Sequence, residues 1–239
     1  MYRLAVLILL TFSLPASAER ALVAVASNFL KPVEALVERY EADSGHEINV
    51  AGGSTGQHYA QIVHGAPFDV FLAADEERPA LLEASGLGDG RIAYALGRLA
   101  LYSTSSASIS EGFETLDSMR FIAIANPDLA PYGRAAKEAL DHAGLWDNLQ
   151  NRIVQGQNIG QAFGMVASGN AEVGLVALSQ TIARNDTHWV VPSEFHTPIR
   201  QEAILLSRGK GNVAAEGFLA YLASDAAQMV IEEYGYDRP

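Results

Sequence analysis

Val23-Ala-Val-Ala-Ser27-Asn28-Phe29 and Asn49-Val-Ala-Gly-Gly-Ser54-Thr55-Gly56 decide the fold of this chain. Each is a short apolar run that ends in small hydroxyl residues and leads into a stretch of helical character. That order places a serine and free backbone N–H groups at a helix N-terminus, a ready seat for an anion. Neither stretch contains Lys or Arg. A seat for an anion built without cations has to use aligned neutral dipoles.

Working outward, strand and helix alternate. Ala21–Ala26 reads as a strand, and Val33, Leu36, Val37 and Tyr40 share one helical face that Gly45 ends. Strands at Glu47–Ala51 and Pro67–Leu72 and helices at Tyr59–Val63 and Ala80–Ala84 complete a β-α-β-α-β unit, which predicts a largely parallel sheet with helices on both faces. A second unit runs from Phe121–Ala125 through Pro131-Tyr132-Gly133, a helix to His142, a strand at Val154, a helix over Gln161–Ala167 and a strand at Glu172–Ala177. Arg98–Ser103 and Ala203–Ser207 bracket this unit and read as crossings between two lobes. Helices at Val213–Ala223 and from Ser224-Asp225 to Gly235 then return to the first lobe. The expected organisation is a signal peptide over 1–18, a first lobe over 19–98 plus 207–239, and a second over 99–206. Ligands of α/β sheets sit at the carboxyl ends of strands, which in two facing lobes line a shared cleft.

Composition narrows the function. Hydrophobic residues make up 49% and charged residues 18% of the 239, a globular balance. Arg3, the apolar run Leu4–Phe12 and Ala16-Ser17-Ala18 have the order of a signal peptide, so the mature protein is expected to start near Glu19 in the periplasm. Its balance is then 15 basic against 28 acidic residues, which argues against nucleic acid and anionic membranes as partners. It does not exclude a small anion, because local dipoles outweigh a distant, screened net charge. No cysteine is present, so there is no disulfide framework, thiolate nucleophile or Cys-based metal site. His46, His58, His64, His142, His188 and His196 show no metal-ligand spacing, and no metal ligands are assigned. There is no Gly-x-Ser-x-Gly elbow and no Walker motif. Asp75-Glu76-Glu77 reads as a solvated helix start and Asp69 as a structural hydrogen-bonding group.

At these residues the chain resembles the periplasmic molybdate-binding proteins of ABC importers. The resemblance is carried by Ala26-Ser27-Asn28-Phe29, Gly53-Ser54-Thr55-Gly56, Gly65-Ala-Pro-Phe-Asp-Val-Phe-Leu-Ala-Ala-Asp75, Asn126-Pro-Asp-Leu-Ala-Pro-Tyr-Gly133, Gly156-Gln-Asn-Ile-Gly160 and Val166-Ala-Ser-Gly-Asn-Ala-Glu-Val-Gly174 with Leu178-Ser-Gln180, in the family's order. It implies a two-lobe type II periplasmic-binding-protein fold, an α/β architecture with a mostly parallel sheet in each lobe and two crossing strands as hinge. It implies a monomeric receptor, not an enzyme, that closes on molybdate or tungstate and delivers it to a membrane permease without a cofactor. Carried over position by position, Ser27 and Ser54 donate hydroxyl and backbone N–H groups, Asn28 helps from the same turn, and Tyr132 and Ile159 contribute backbone N–H groups. Thr55 is a further candidate. Some members add a tyrosine hydroxyl from the strand where this chain has Leu175-Val-Ala177-Leu, and Tyr132 and Asn28 are two open alternatives for that missing bond.

A fully deprotonated tetrahedral oxyanion accepts hydrogen bonds and offers none, so its best site holds donors only. The two serine stretches contain no Asp or Glu, which favours molybdate, tungstate or sulfate over phosphate. A receptor for another oxyanion such as sulfate, and a ligand-sensing domain without a transporter, are readings of the same class. An exported hydrolase with a serine nucleophile is the reading from another class. It requires a histidine and an acid near Ser27 or Ser54. His58 lies four residues after Ser54, with no partner acid evident in that stretch.

Overall fold

A computed structural model of the chain describes residues 18–104, 109–182, 184 and 187–239. The expected signal peptide falls almost wholly on 1–17, outside the described residues. In chain order the elements are β1 (Arg20–Ala26), α1 (Leu30–Ser44), β2 (Glu47–Gly53), α2 (Thr55–Val63), β3 (Val70–Leu72), α3 (Glu77–Ala84), β4 (Gly88–Gly97), β5 (Leu99–Tyr102), β6 (Ile122–Ala125), α4 (Pro131–His142), α5 (Trp146–Leu149), β7 (Ile153–Gly156), α6 (Ile159–Ala167), β8 (Val173–Ala177), α7 (Leu178–Ile182), β9 (His188–Val190), β10 (Ile199–Leu206), α8 (Val213–Leu222) and α9 (Asp225–Glu233).

Two five-stranded sheets form, in the orders β2-β1-β3-β10-β4 and β7-β6-β8-β5-β9. In the first, β2, β1 and β3 are parallel and β10 runs antiparallel to both β3 and β4. The second repeats the plan: β7, β6 and β8 are parallel, and β5 runs antiparallel to β8 and β9. The central strands are buried on both faces, which is why they read as continuous apolar runs. Val23, Ala24 and Val25 of β1 and Ile122, Ala123 and Ile124 of β6 have no exposed surface. Helix α1 lays Val33, Leu36 and Tyr40 on the first sheet and stops where Gly45 turns left-handed, at φ 72°. Helices α8 and α9 close the same core with Phe218, Leu222, Val230 and Ile231. Among the described residues no helix is long and apolar enough to cross a membrane.

Two expectations need correction. The strand read as Ala203–Ser207 begins earlier, at Ile199, and its whole length pairs with β3 and β4. It is therefore a member of the first sheet and not a crossing, and the chain returns to that lobe before Ile199 instead of at 207. The outward crossing is as short as it can be: Gly97 ends β4 in the first sheet and Leu99 starts β5 in the second. The second correction is β4 itself, which the sequence did not announce. Its glycines and the irregular pairing opposite Gln201 to Leu205 break the alternation that marks a strand.

The start of α4 is seated by a close approach. A Cβ on Gly133 would run into the backbone of Ala125 and Asn126 at the end of β6. We expect Gly133→Ala to push α4 off the sheet and to lower stability by about 1–3 kcal/mol, the usual range for overpacking. Urea unfolding followed by circular dichroism measures this, and an unchanged midpoint contradicts the packing described.

Candidate functional site

Each half of the site grows from strand ends. β1 stops at Ala26 and the chain turns through a single 3-10 turn, Ser27–Phe29, into α1. β2 stops at Gly53 and Ser54 caps α2. Its hydroxyl accepts the Gln57 N–H at 3.2 Å while the Gln57 side chain accepts the Ser54 N–H at 3.4 Å, a reciprocal capping box. In the second lobe α4 opens with Pro131 in its first turn, where a missing N–H costs nothing. Asn158 caps α6 by accepting the Gln161 N–H at 3.0 Å. Four helix starts, two from each sheet, thus face one another at the carboxyl ends of parallel strands.

Between them lies a compact cavity of about 10 Å³, room for one water-sized sphere. Pockets for drug-sized ligands run to roughly 300–1,000 Å³, so this one excludes them. Its lining is Ala26, Ser27, Asn28, Gly53, Ser54, Thr55 and Ala74 from the first lobe and Ala130, Pro131, Tyr132 and Ile159 from the second. All six residues singled out from the sequence line this one cavity. No lining residue carries a charge, and Asp69 and Asp75 stay out of it. The helix dipoles supply the field, each start carrying roughly half a positive charge.

The lobes are drawn together around the cavity. The Gly160 N–H donates to the Ser27 hydroxyl at 3.1 Å, and that hydroxyl donates to the Asn158 side-chain oxygen at 3.2 Å. The Gly56 N–H donates to the Leu129 carbonyl at 2.9 Å, and Arg78 donates to the Asp128 carbonyl at 3.2 Å. At the helix starts Gln57, Gly133, Gly160 and Gln161 all spend their N–H groups on these or local partners. Among the first-turn N–H groups left over are those of Thr55, Tyr132 and Ile159, and in the Ser27–Phe29 turn that of Asn28; all four residues line the cavity. The hydroxyls of Ser54 and Thr55 accept from Gln57 and from the Ala74 N–H, so each still has its own proton to give.

The side chains of Tyr132 and Asn28, the two open alternatives for an extra donor, are committed elsewhere. Asn28 gives both amide hydrogens away, to Gln201 at 2.9 Å and to Tyr236 at 3.0 Å. The Tyr132 hydroxyl accepts from the Gln201 side chain at 3.4 Å, beneath the cavity. That leaves the backbone N–H as the donor each can offer a ligand in the cavity. Tyr94 also donates to Gln201, at 3.0 Å, so a buried polar layer underlies the site. Burial holds the Tyr94 and Tyr132 hydroxyls well above the ordinary tyrosine range and pushes Tyr236 up to about 12, so all three remain protonated donors. Nothing in the sequence announced Gln201 or Tyr236, while Asn158 and Ser179 lay in stretches that carry the resemblance without a role assigned to them. Only Asn158 carried a signal, as a capping residue ahead of an apolar helix.

The nearest charges are paired. Asp75 is buried against Arg78, and is not part of a solvated helix start as the sequence suggested. Burial raises its carboxyl and the Arg78 guanidinium pulls it back. Asp69 accepts the Leu22 N–H at 2.7 Å and pairs with Arg208 at 2.6 Å, a structural role. A larger open groove between α3 and α4 is lined by Asp75, Glu76, Glu77 and Glu138 beside Arg134 and Arg200, and its carboxylates disfavour a dianion. His58 makes no pair with Ser54. Its Nδ1 faces Gln61 at 3.2 Å, its Nε2 is buried with no hydrogen-bond partner, and its ring packs edge-on to Phe68. Among the described residues no group of three His, Cys, Asp or Glu is arranged to hold a metal ion.

Comparison with known proteins gives a consistent outcome. The family model for bacterial extracellular solute-binding proteins matches residues 21–237. A molybdate-binding protein of Azotobacter vinelandii is 41% identical over 229 residues, 92% of this chain and 91% of its own length. One of Rhodobacter capsulatus is 38% identical over 236 residues, 97% of this chain and 94% of its own. The solved structure of a periplasmic molybdate-binding protein of Azotobacter vinelandii superposes with a TM-score of 0.88 at 38% identity, covering 92% of this chain and 99% of that one.

Burial lowers the His58 pKa from 6.5, and its bond to Gln61 only partly offsets this. The unfolded chain therefore binds the proton more readily than the folded one. This stability contribution is complete above pH about 6.5 and declines as pH falls below it. We expect thermal unfolding midpoints between about pH 7.5 and 5 to fall more steeply for the wild-type protein than for His58→Gln. Parallel pH profiles contradict the placement of a neutral, buried His58.

Proposed function

The chain belongs to the bacterial extracellular solute-binding proteins, and we propose that it captures molybdate, with tungstate as a second ligand, in the cleft between its lobes and delivers it to the permease of an ABC importer. The observation that carries this reading is the convergence of four helix starts on a cavity without a charged lining residue. Relatives that bind molybdate match the whole folded length of the chain, which supports the choice of ion. Export to the periplasm fits the family and the signal-like N-terminus. A monomer suffices, because both halves of the cavity come from one chain.

The chemistry follows from the donor set. Ser27, Asn28, Ser54, Tyr132 and Ile159 hold the ion, with Thr55 as a sixth contributor. The hydroxyls of Ser54 and Thr55 rotate their protons onto it, and the N–H groups of Thr55, Tyr132 and Ile159 complete the cage. The Ser27 hydroxyl moves its proton from Asn158 to the ion without losing the N–H of Gly160. No carboxylate lies in the lining to take the hydrogen of a hydrogen phosphate, so an anion that keeps a proton at neutral pH is less well matched. A fully deprotonated dianion has no such mismatch. Donors from both lobes contact the same ion, so binding favours the closed arrangement over the open one.

Titration calorimetry of the mature protein with molybdate tests the assignment, and Ser54 separates the ligand role from the capping role. A charge-assisted hydrogen bond contributes about 1.5–3 kcal/mol, so Ser54→Ala is expected to weaken molybdate binding about 10- to 100-fold. It also loses about 1 kcal/mol of stability with the cap. Ser54→Asp keeps a good cap but sets a carboxylate against the ion, and is expected to abolish binding with the unfolding midpoint preserved. Unchanged affinity in both variants removes Ser54 from the site.

A further inference from the structure

Beneath the cavity, hydrogen bonds close into a ring. The Asn28 side-chain amide donates to the Tyr236 hydroxyl at 3.0 Å. The Tyr236 hydroxyl lies 3.0 Å from the Ser179 hydroxyl, to which it can donate. The Ser179 hydroxyl donates to the Asn28 backbone carbonyl at 3.0 Å. The Tyr236 hydroxyl also lies 3.0 Å from the Asn28 carbonyl, so its one proton closes the ring either through Ser179 or directly onto Asn28, with the Ser179 hydroxyl on the same carbonyl in both cases. The ring leaves Asn28 by its side chain and returns to it by its backbone, so it restrains that residue at two points. Its second amide hydrogen, on Gln201 at 2.9 Å, adds a third.

The members come from distant parts of the fold. Asn28 sits in the turn that enters α1 of the first lobe. Ser179 lies on α7, which follows β8 of the second lobe and packs on β5 and β8. Tyr236 belongs to the C-terminal segment after α9. That segment is pinned to the end of β4, beside the crossing, by reciprocal backbone bonds between Leu96 and Asp237 at 2.8 and 3.0 Å. The Tyr236 ring stands edge-on to Phe29, with centroids 5.4 Å apart. All three ring members are nearly inaccessible to water: Asn28 is 2% exposed and Ser179 and Tyr236 are 3% exposed. A buried, fully satisfied polar ring fixes geometry in a way that an apolar contact does not, since slipping out of register strands its polar groups.

We propose that Tyr236 and Ser179 are positioning residues for the oxyanion site, which hold Asn28 in a ring of hydrogen bonds across both lobes so that the Ser27–Asn28 turn aims its N–H donors into the cavity when the lobes meet. The inference rests on the reading of that cavity as an oxyanion seat. Neither residue lines the cavity, so neither touches the ion directly. The arrangement makes the first-lobe half of the seat depend on a hydroxyl from the second lobe. It also gives the C-terminal segment a part in binding that its distance in sequence conceals.

The test is a double-mutant cycle on binding with Tyr236→Phe, Ser179→Ala and the double variant. Molybdate, tungstate and sulfate are titrated calorimetrically into each, and molybdate release is followed by stopped flow. Tyr236→Phe removes every bond between Asn28 and the C-terminal segment and is expected to bind molybdate about 10-fold more weakly through faster release, whereas Ser179→Ala removes only the second-lobe hydroxyl from the Asn28 carbonyl and is expected to lose about 3-fold. The double variant is expected to bind no more weakly than the worse single one, because an open ring cannot be opened again. A purely structural role lowers the unfolding midpoint without this non-additivity. Wild-type affinity in both single variants, or losses that multiply in the double one, overturns the inference. If Tyr236→Phe fails to fold, Ser179→Ala decides alone, since it removes one oxygen and leaves the rings in place; wild-type release from it overturns the inference. A wild-type protein silent to all three anions overturns the functional reading and the inference with it, whereas wild-type binding with unchanged variants overturns the inference alone.

Discussion

A doubly charged anion held away from water must have every oxygen met by a donor, and the cavity between the two lobes offers donors without a charged residue in its lining. The cavity is lined by uncharged residues, and the guanidinium of Arg78 is occupied by Asp75 and the Asp128 carbonyl. Neutral dipoles have to be many and well aimed to replace one charge. That explains why the two sheets repeat the same plan: each sends a pair of helix starts, from neighbouring parallel strands, toward a common point. The acidic balance of the chain as a whole does not oppose this, because distant surface charge is screened over about 8–10 Å while the dipoles act at contact.

Aim requires rigidity in the layer behind the donors. Two of the helix starts are capped by side chains, by Ser54 and Gln57 on one side and by Asn158 on the other, and α4 opens on Pro131. The turn at Ser27 and Asn28 has no such cap of its own. Its support comes from Gln201 of β10, Tyr236 of the C-terminal segment and Ser179 of the opposite lobe. The one unpaired atom nearby, Nε2 of His58, lies behind Gly53 in an apolar setting that keeps the ring neutral. A charge there would add a cation to a site otherwise built from dipoles.

The sequence displayed one kind of information and concealed another. Ser27 and Ser54 were legible because a small hydroxyl residue at the end of an apolar run is a local signal with a local cause, the unsatisfied N–H groups of a helix start. Tyr132 and Ile159 were legible only through resemblance, since a backbone donor leaves no trace in residue type. The parallel strands showed as apolar runs because both faces are buried. β4 did not show, because glycines and irregular pairing against β10 erase the alternation. The early start of β10 at Ile199 was hidden for a similar reason: its polar members Gln201 and Glu202 are buried by partners far along the chain, which a local pattern cannot anticipate. The bonds from Asn28 to Gln201 and Tyr236 span 173 and 208 residues.

The central claim is that an oxyanion is held by neutral donors from both lobes and by no cation. A crystal structure of the protein with molybdate tests it most directly. The predicted result is one ion in the cavity, bonded by Ser27, Asn28, Ser54, Tyr132 and Ile159, with no lysine or arginine in contact. An ion seated in the groove beside Arg134 and Arg200, or paired with any guanidinium, would contradict the account.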